Sequence, residues 1–219
     1  MSAIAIRMPL EVAYQRKVLL AVELLDAVTL ARVTQGAEVE ARGLKGAPIV
    51  NTSGLFVWLN EDTGDFRGLA IDPGRLPYEP VTLEAVDVRF PLTVVELSPR
   101  ADYLFDFGFT ALRGRLVVQR VPPEPARDGI VNLDWLDVNG AWARSNALSK
   151  TSAMGDFAVA LRLGPADEPK LTNGLLTLRL RARRSGGERI SAAFDVPPGR
   201  VTEPSILDPR IFAWDELNP

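Results

Sequence analysis

Histidine and cysteine are both absent from the 219 residues. Without histidine there is no Ser-His-Asp or Cys-His nucleophile, and none of the usual zinc, copper or non-haem iron sites. Without cysteine there is no thiolate catalysis, no Fe–S ligation and no disulfide. The chemistry left open uses carboxylates, lysine or tyrosine, or a hard cation held by oxygens. Long apolar runs are missing too. Val18 to Leu25 is the most apolar early stretch, and Glu23 interrupts it. A spanning helix needs ~20 apolar residues, so no membrane insertion is expected. Arg7 breaks the first apolar residues, and no small-residue cleavage site separates them from Glu11, Arg16 and Lys17. The expectation is therefore synthesis without a signal peptide and a cytoplasmic location, with which zero cysteine agrees.

An excess of one charge is also lacking. The net charge is −3 with acids and bases interspersed, so nucleic acid is not an expected partner. The one basic run is Arg179, Arg181, Arg183 and Arg184, ending near Arg189. Its first three members alternate with Leu178, Leu180 and Ala182. The plain reading is a solvated strand face, and the alternative is a surface for an acidic partner.

What is abundant is apolar residues, 47% of the chain, in period two. Phe157, Val159, Leu161 and Leu163 fall on one face of a run. Leu176, Leu178, Leu180 and Ala182 do so in the next, then Ile190, Ala192, Phe194 and Val196, with Val131, Leu133 and Trp135 a shorter case. Such alternation predicts half-buried antiparallel strands. The 17 prolines and 17 glycines cluster between the runs as turn residues. Val18–Ala31 is read as a strand through Leu20, Val22 and Leu24, closed by a turn at Asp26 and Thr29.

The chain also repeats itself. A strand near Val18–Leu25, a segment from Gly36 to Ala41 and the string Asn51-Thr52-Ser53-Gly54-Leu55-Phe56-Val57-Trp58 are followed by a matching series. Its members are Leu112–Gln119, Asp128–Leu133 and Lys150-Thr151-Ser152-Ala153-Met154-Gly155-Asp156-Phe157. A period of about 100 residues signals duplicated domains rather than a solenoid. The expected organisation is a first β-sandwich over 1–97, a second over 98–200 and an extended C-terminal arm over 201–219. Ser98-Pro99-Arg100 marks the seam.

On these strings, with Leu25–Thr29, Ala37-Glu38-Val39 and Leu76-Pro77-Tyr78-Glu79-Pro80, the chain resembles the carboxypeptidase-regulatory-like, or transthyretin-like, sandwich. In that group the first turn carries Gly and Pro, where this chain has Leu30-Ala31. In the second half, Arg113-Gly114-Arg115-Leu116-Val117 and Thr151–Phe157 carry the likeness. The resemblance implies an all-β fold of two tandem Ig-like (transthyretin-like) sandwiches. Its motifs mark turns and cores, not chemistry. The enzymes similar in architecture depend on histidine, so their activities do not carry over, and a spacer or docking module is implied.

Several short strings are candidate sites. Asp62-Thr63-Gly64 matches the aspartic-protease triplet but sits in the polar turn Asn60–Asp65 without apolar strands on both sides. The same turn is a candidate calcium loop, with Gly64 one place early for the usual spacing. Asn51-Thr52-Ser53 is a glycosylation sequon, without meaning unless the chain is secreted. Ser185-Gly186-Gly187-Glu188 reads as a tight turn. Trp58 and Trp135 are expected in the core, while Trp142 is placed on a loop as a sugar-stacking or interface residue. In the C-terminal segment, Ile206, Leu207, Ile211, Phe212 and Trp214 need cover. They either pack back on their own sandwich or dock on another subunit by strand addition. Ile4–Leu10 is a weaker candidate for the same role.

No catalytic residue, cofactor or metal is expected, and a small-molecule substrate is not foreseen. The leading expectation is a non-enzymatic structural or adaptor subunit whose partners are other protein subunits. By analogy the assembly would be a phage-tail-like particle, either a contractile injection system or a baseplate. The alternatives are a carbohydrate- or surface-binding module acting through Trp142, and an enzyme using carboxylates alone.

Overall fold

A computed structural model describes residues 17–59, 66–84, 86–87, 91–185 and 187–219. Among them the fold is nearly all β: eighteen strands and one 3-10 turn at Trp214–Glu216. The calcium and protease strings at Asn60–Asp65 and the Ile4–Leu10 segment lie outside the described residues, as does Gly186 of the Ser185–Glu188 turn.

In the first half, β1 (Val18–Asp26) is flanked by β4 (Phe56–Leu59), antiparallel, and β7 (Leu92–Leu97), parallel. The short β3 (Ile49–Val50) pairs outside β4. The facing sheet is β2 (Glu38–Arg42), β5 (Gly68–Asp72) and β6 (Val81–Leu83). The period-two rule explains the layers. Leu20, Val22 and Leu24 of β1 point inward and are fully buried, as are Val39 and Ala41 between the exposed Glu38, Glu40 and Arg42. Phe56, Trp58, Leu69, Ile71, Val95 and Leu97 complete this core. Fully burying each aliphatic side chain of this kind contributes roughly 1.5–3 kcal/mol.

The second half repeats the plan. Here β8 (Ala111–Val117) is flanked by β12 (Asp156–Ala160), antiparallel, on one edge. On its other edge lie β17 (Val201–Thr202) and β18 (Ile211–Ala213), both parallel. The facing sheet is built on β9 (Ile130–Leu136) and β14 (Leu175–Arg184). Its remaining strands are β10 (Trp142–Arg144), β11 (Ser149–Lys150), β13 (Leu171–Thr172), β15 (Gly187–Ile190) and β16 (Phe194–Val196). The central pairs match: β1 with β4 and β7 corresponds to β8 with β12 and β17/β18, and β2 with β5 corresponds to β9 with β14. Gly54 and Gly155, the shared glycines of the repeat, both have φ +78°. A Cβ on Gly155 would lie 2.2 Å from the Leu116 carbonyl oxygen and one on Gly54 2.2 Å from Thr34 Cγ2, so only glycine fits either turn. Trp135, Leu133, Phe157, Leu178 and Leu180 centre the second core, and Trp58 and Trp135 are both buried.

Three expectations are corrected. The segment 201–219, expected as an extended arm, is part of the second half: β17 and β18 bond to β8, and Leu217 belongs to the core. The run Ile190–Val196 is not one strand but two, β15 and β16. Between them Ser191 turns aside, its Oγ accepting from the Leu180 N–H at 2.9 Å. Leu163 lies beyond β12 and is exposed, so the inward row ends at Leu161.

Residues 98–110 join the halves and pack inward, with Tyr103, Phe105 and Phe109 against the first core. At this seam Asp26 is buried. Its Oδ1 accepts from the Val28 N–H at 2.7 Å, and its Oδ2 from the hydroxyls of Tyr103 at 2.5 Å and Tyr78 at 3.2 Å. Arg162 of the second half donates to the Ala27 carbonyl at 2.9 Å and meets Glu96 at 3.3 Å. Burial, with the Asp26 carboxylate beside them, pushes both tyrosine hydroxyls well above the ordinary value. A raised folded-state pKa gives stability that is whole below the unfolded value and lost as pH rises past it. The chain should therefore keep its urea midpoint up to about pH 9 and lose it progressively above about pH 10. Denaturant titrations of the wild type and of Tyr78→Phe/Tyr103→Phe check this. The double variant should be less stable at neutral pH and show a shallower alkaline decline.

Candidate interaction surfaces

The closing strand of the second half is interrupted. Thr202 pairs with Leu112 and Ile211 with Arg115, so residues 203–210 leave the sheet opposite Arg113 and Gly114 and return to the same edge. Both ends of this loop are fixed. Arg113 Nη1 meets Glu203 Oε1 at 3.1 Å, and the Arg115 N–H donates to the Arg210 carbonyl at 3.0 Å. That carbonyl would lie 2.8 Å from a Cβ on Gly114, which is why glycine stands there. Inside the loop the Ser205 N–H donates to the Asp208 carbonyl at 2.7 Å, and Ser205 Oγ accepts from the Asp208 N–H at 3.0 Å. Asp208 also holds Arg210 at 2.9 Å, and Pro204 and Pro209 restrict the backbone on either side. The tip carries Ile206 and Leu207, at 102% and 98% relative exposure.

The other C-terminal candidates face the opposite way. Phe212 packs between Phe157 and Phe194, with ring centroids 6.0 Å from each. Trp214 lies between the guanidiniums of Arg189 and Arg184, at 5.2 and 5.6 Å, and its carbonyl accepts from Arg189 at 2.7 Å. Ile211 is half-buried in β18. The chain thus divides the five residues into an inward set and an outward pair.

Trp142 is not on a loop but in the edge strand β10, where it pairs with Leu136 of β9. One face of its ring is covered by the Arg179 guanidinium, 4.3 Å from the centroid. Arg179 is in turn held by Asp134, a carboxylate with 1% exposure at the centre of β9. Asp134 accepts from Arg179 Nε at 2.8 Å and from Arg181 Nε and Nη2 at 3.0 and 2.5 Å. Glu188 joins Arg181 to Arg144, the latter at 3.1 Å. The alternating arginines of β14 are therefore not a bare solvated face. Asp134 and Glu188 neutralise Arg179 and Arg181, and only Arg183 stands exposed without an acidic partner among the described residues.

A cleft of about 370 Å³ runs beside β18, lined by Phe194, Phe212, Asp208, Arg210, Arg120 and Glu216 among others. Its two acids are each engaged by an arginine. Asp208 pairs with Arg210, while Arg120 holds the Glu216 carboxyl below the usual range through hydrogen bonds of 2.8 Å. Among the described residues no three acidic side chains converge to hold a metal ion, and no helix is long and apolar enough to cross a membrane. Asn51 of the sequon is exposed, but its Oδ1 is occupied by the Ser53 and Leu55 N–H groups at 3.0 and 2.9 Å. No family model, curated protein or solved structure matches the chain.

Sequence reasoning missed Asp134, because it alternates with Val131, Leu133 and Trp135 and so reads as a solvent-facing residue. The signal available was the basic run itself, three arginines on one face needing an anion. Replacing Asp134 by alanine strands two guanidiniums on a covered sheet. Urea unfolding of Asp134→Ala should show a loss of about 3 kcal/mol, and a loss below about 1 kcal/mol would mean that water already solvates the cluster.

Proposed function

We propose that this chain is a non-enzymatic structural or adaptor subunit of a larger protein assembly, built from tandem transthyretin-like sandwiches. The observation that carries the reading is the pair Ile206–Leu207. Single exposed apolar residues on a surface are ordinary. Here two adjacent large aliphatic side chains are fully exposed on a loop pinned at both ends and stiffened by two prolines. Fixing a loop before binding removes much of the ordering entropy that association otherwise costs. A preorganised apolar tip of this kind suits insertion into a pocket on another subunit.

The matching strand order of the two halves supports the tandem-sandwich part of the reading. A phage-tail-like particle, a contractile injection system or baseplate, is the assembly we favour, by analogy with tandem-sandwich subunits. The carbohydrate-binding alternative draws less support, because Arg179 already occupies one face of Trp142.

The test is sedimentation of the protein from its native cells. The wild-type chain should travel with a large complex. Ile206→Asp/Leu207→Asp should shift to the slow fraction while its unfolding free energy stays within about 0.5 kcal/mol of wild type, as for other exposed positions. A wild-type chain that sediments as a monomer, or a double variant that still enters the complex, refutes the proposal.

A further inference from the structure

The two halves differ in how the edge of the facing sheet is covered. In the second half β9 pairs with β14 on one side and is covered on the other by β10 and β11. Its counterpart β2 pairs with β5 alone among the described residues, so the other side of its backbone has no sheet partner. The cause is the length of the connection. Residues 137–150 separate β9 from the shared Thr-Ser and supply both covering strands. Only residues 43–51 separate β2 from it, and their one strand, β3, crosses to β4 instead. Beside the bare edge lies a cleft of about 580 Å³, with an apolar lining from Val39, Ala47, Pro48, Val50 and Phe56. Its only charged groups are Glu38, Glu40 and Asp72. In the ladder Glu38 stands opposite Asp72 and Glu40 opposite Ala70, so the neighbouring strand offers neither a cation. In the second half Asp134 of β9 is neutralised by Arg179 and Arg181 of β14. Arg42 is the one base on the exposed face of β2, against two glutamates.

We propose that the free edge of β2 receives an extended segment of a partner protein by antiparallel strand addition, in the place that β10 fills on β9. The chemistry of that segment follows from the two faces of an added strand, whose side chains alternate. Those turned inward meet the cleft and are apolar. Those turned outward lie beside Glu38 and Glu40 and are lysine or arginine, because opposite charges on neighbouring strands attract and like charges repel. The same rule removes a second copy as the occupant. β2 paired antiparallel with β2 would set Glu38 and Glu40 of one chain against those of the other. Charged side chains on an edge strand guard it against its own kind, and here the same charges admit a basic strand. The Ile206–Leu207 tip belongs to the second half, and the β2 edge does not depend on it.

The test uses the full chain and the acetylated, amidated nonapeptide Lys-Val-Lys-Val-Lys-Val-Lys-Val-Lys, followed by titration and by amide exchange. The peptide should bind and slow exchange in β2 by ~10-fold or more, while β9 and β14 keep their rates. Glu38→Lys/Glu40→Lys alters exposed side chains and should keep the urea midpoint while weakening binding by ~10-fold or more. The same peptide N-methylated throughout keeps its charges but cannot form a ladder, and it should not bind. Equal binding by the N-methylated peptide or by the double variant would mean charge attraction without strand addition and would overturn the proposal. No binding of the unmethylated peptide would show that the glutamates only guard the edge, which overturns it too. So would protection of β2 that rises with protein concentration in the absence of peptide, since a second copy would then be the occupant.

Discussion

The parallel pairing of each half's last strand with its first is the constraint on which the rest of this molecule depends. β7 lies along β1 over Leu92–Leu97, and β17 with β18 lies along β8. A parallel neighbour cannot be reached by a tight hairpin, so the chain must cross to the facing sheet and back before it closes. That route is what encloses each core, and in both halves it puts the closing strand last. In the second half this makes the final residues structural. Phe212, Ala213 and Leu217 fill a core whose other side chains are set far earlier.

Once the closing strand is fixed, the candidate surfaces follow from how each half finishes it. In the first half the strand is continuous and leaves an apolar edge. In the second it is broken by residues 203–210, and because Thr202 and Ile211 are both anchored on β8, the loop between them is held outward. The exposure of Ile206 and Leu207 is thus a consequence of register. Where the two halves meet, Asp26 and Arg162 act as polar fasteners: one collects two tyrosine hydroxyls, the other a backbone carbonyl and Glu96.

Much of the all-β fold was legible in the sequence because it rests on local alternation. The inward faces of β9, β12 and β14 follow from period two, and the Thr-Ser…Gly repeat marks equivalent turns. The closing strand of the second half was not legible. Val201–Thr202 and Ile211–Ala213 are too short to show a period, and their partner lies about 90 residues earlier in the chain, a separation that no local pattern encodes. The same holds for Asp134, whose burial depends on arginines of another strand, and for Trp142, whose covered face depends on Arg179. Interactions across distant strands decide which exposed-looking residues are free.

The C-terminal segment completes the sheet and core of the second half. Hydrogen exchange on a chain ending at Glu203, compared with the full chain, tests it most directly. Loss of β18 should strip protection from the Arg115 and Val117 amides, which face it, more than from Leu116, whose N–H donates to the Gly155 carbonyl on the other edge, and it should lower the stability of the whole second half, leaving β1, β2 and β5 protected. Full protection of the Arg115 and Val117 amides in the shortened chain would show that β8 needs no closing partner and would contradict this.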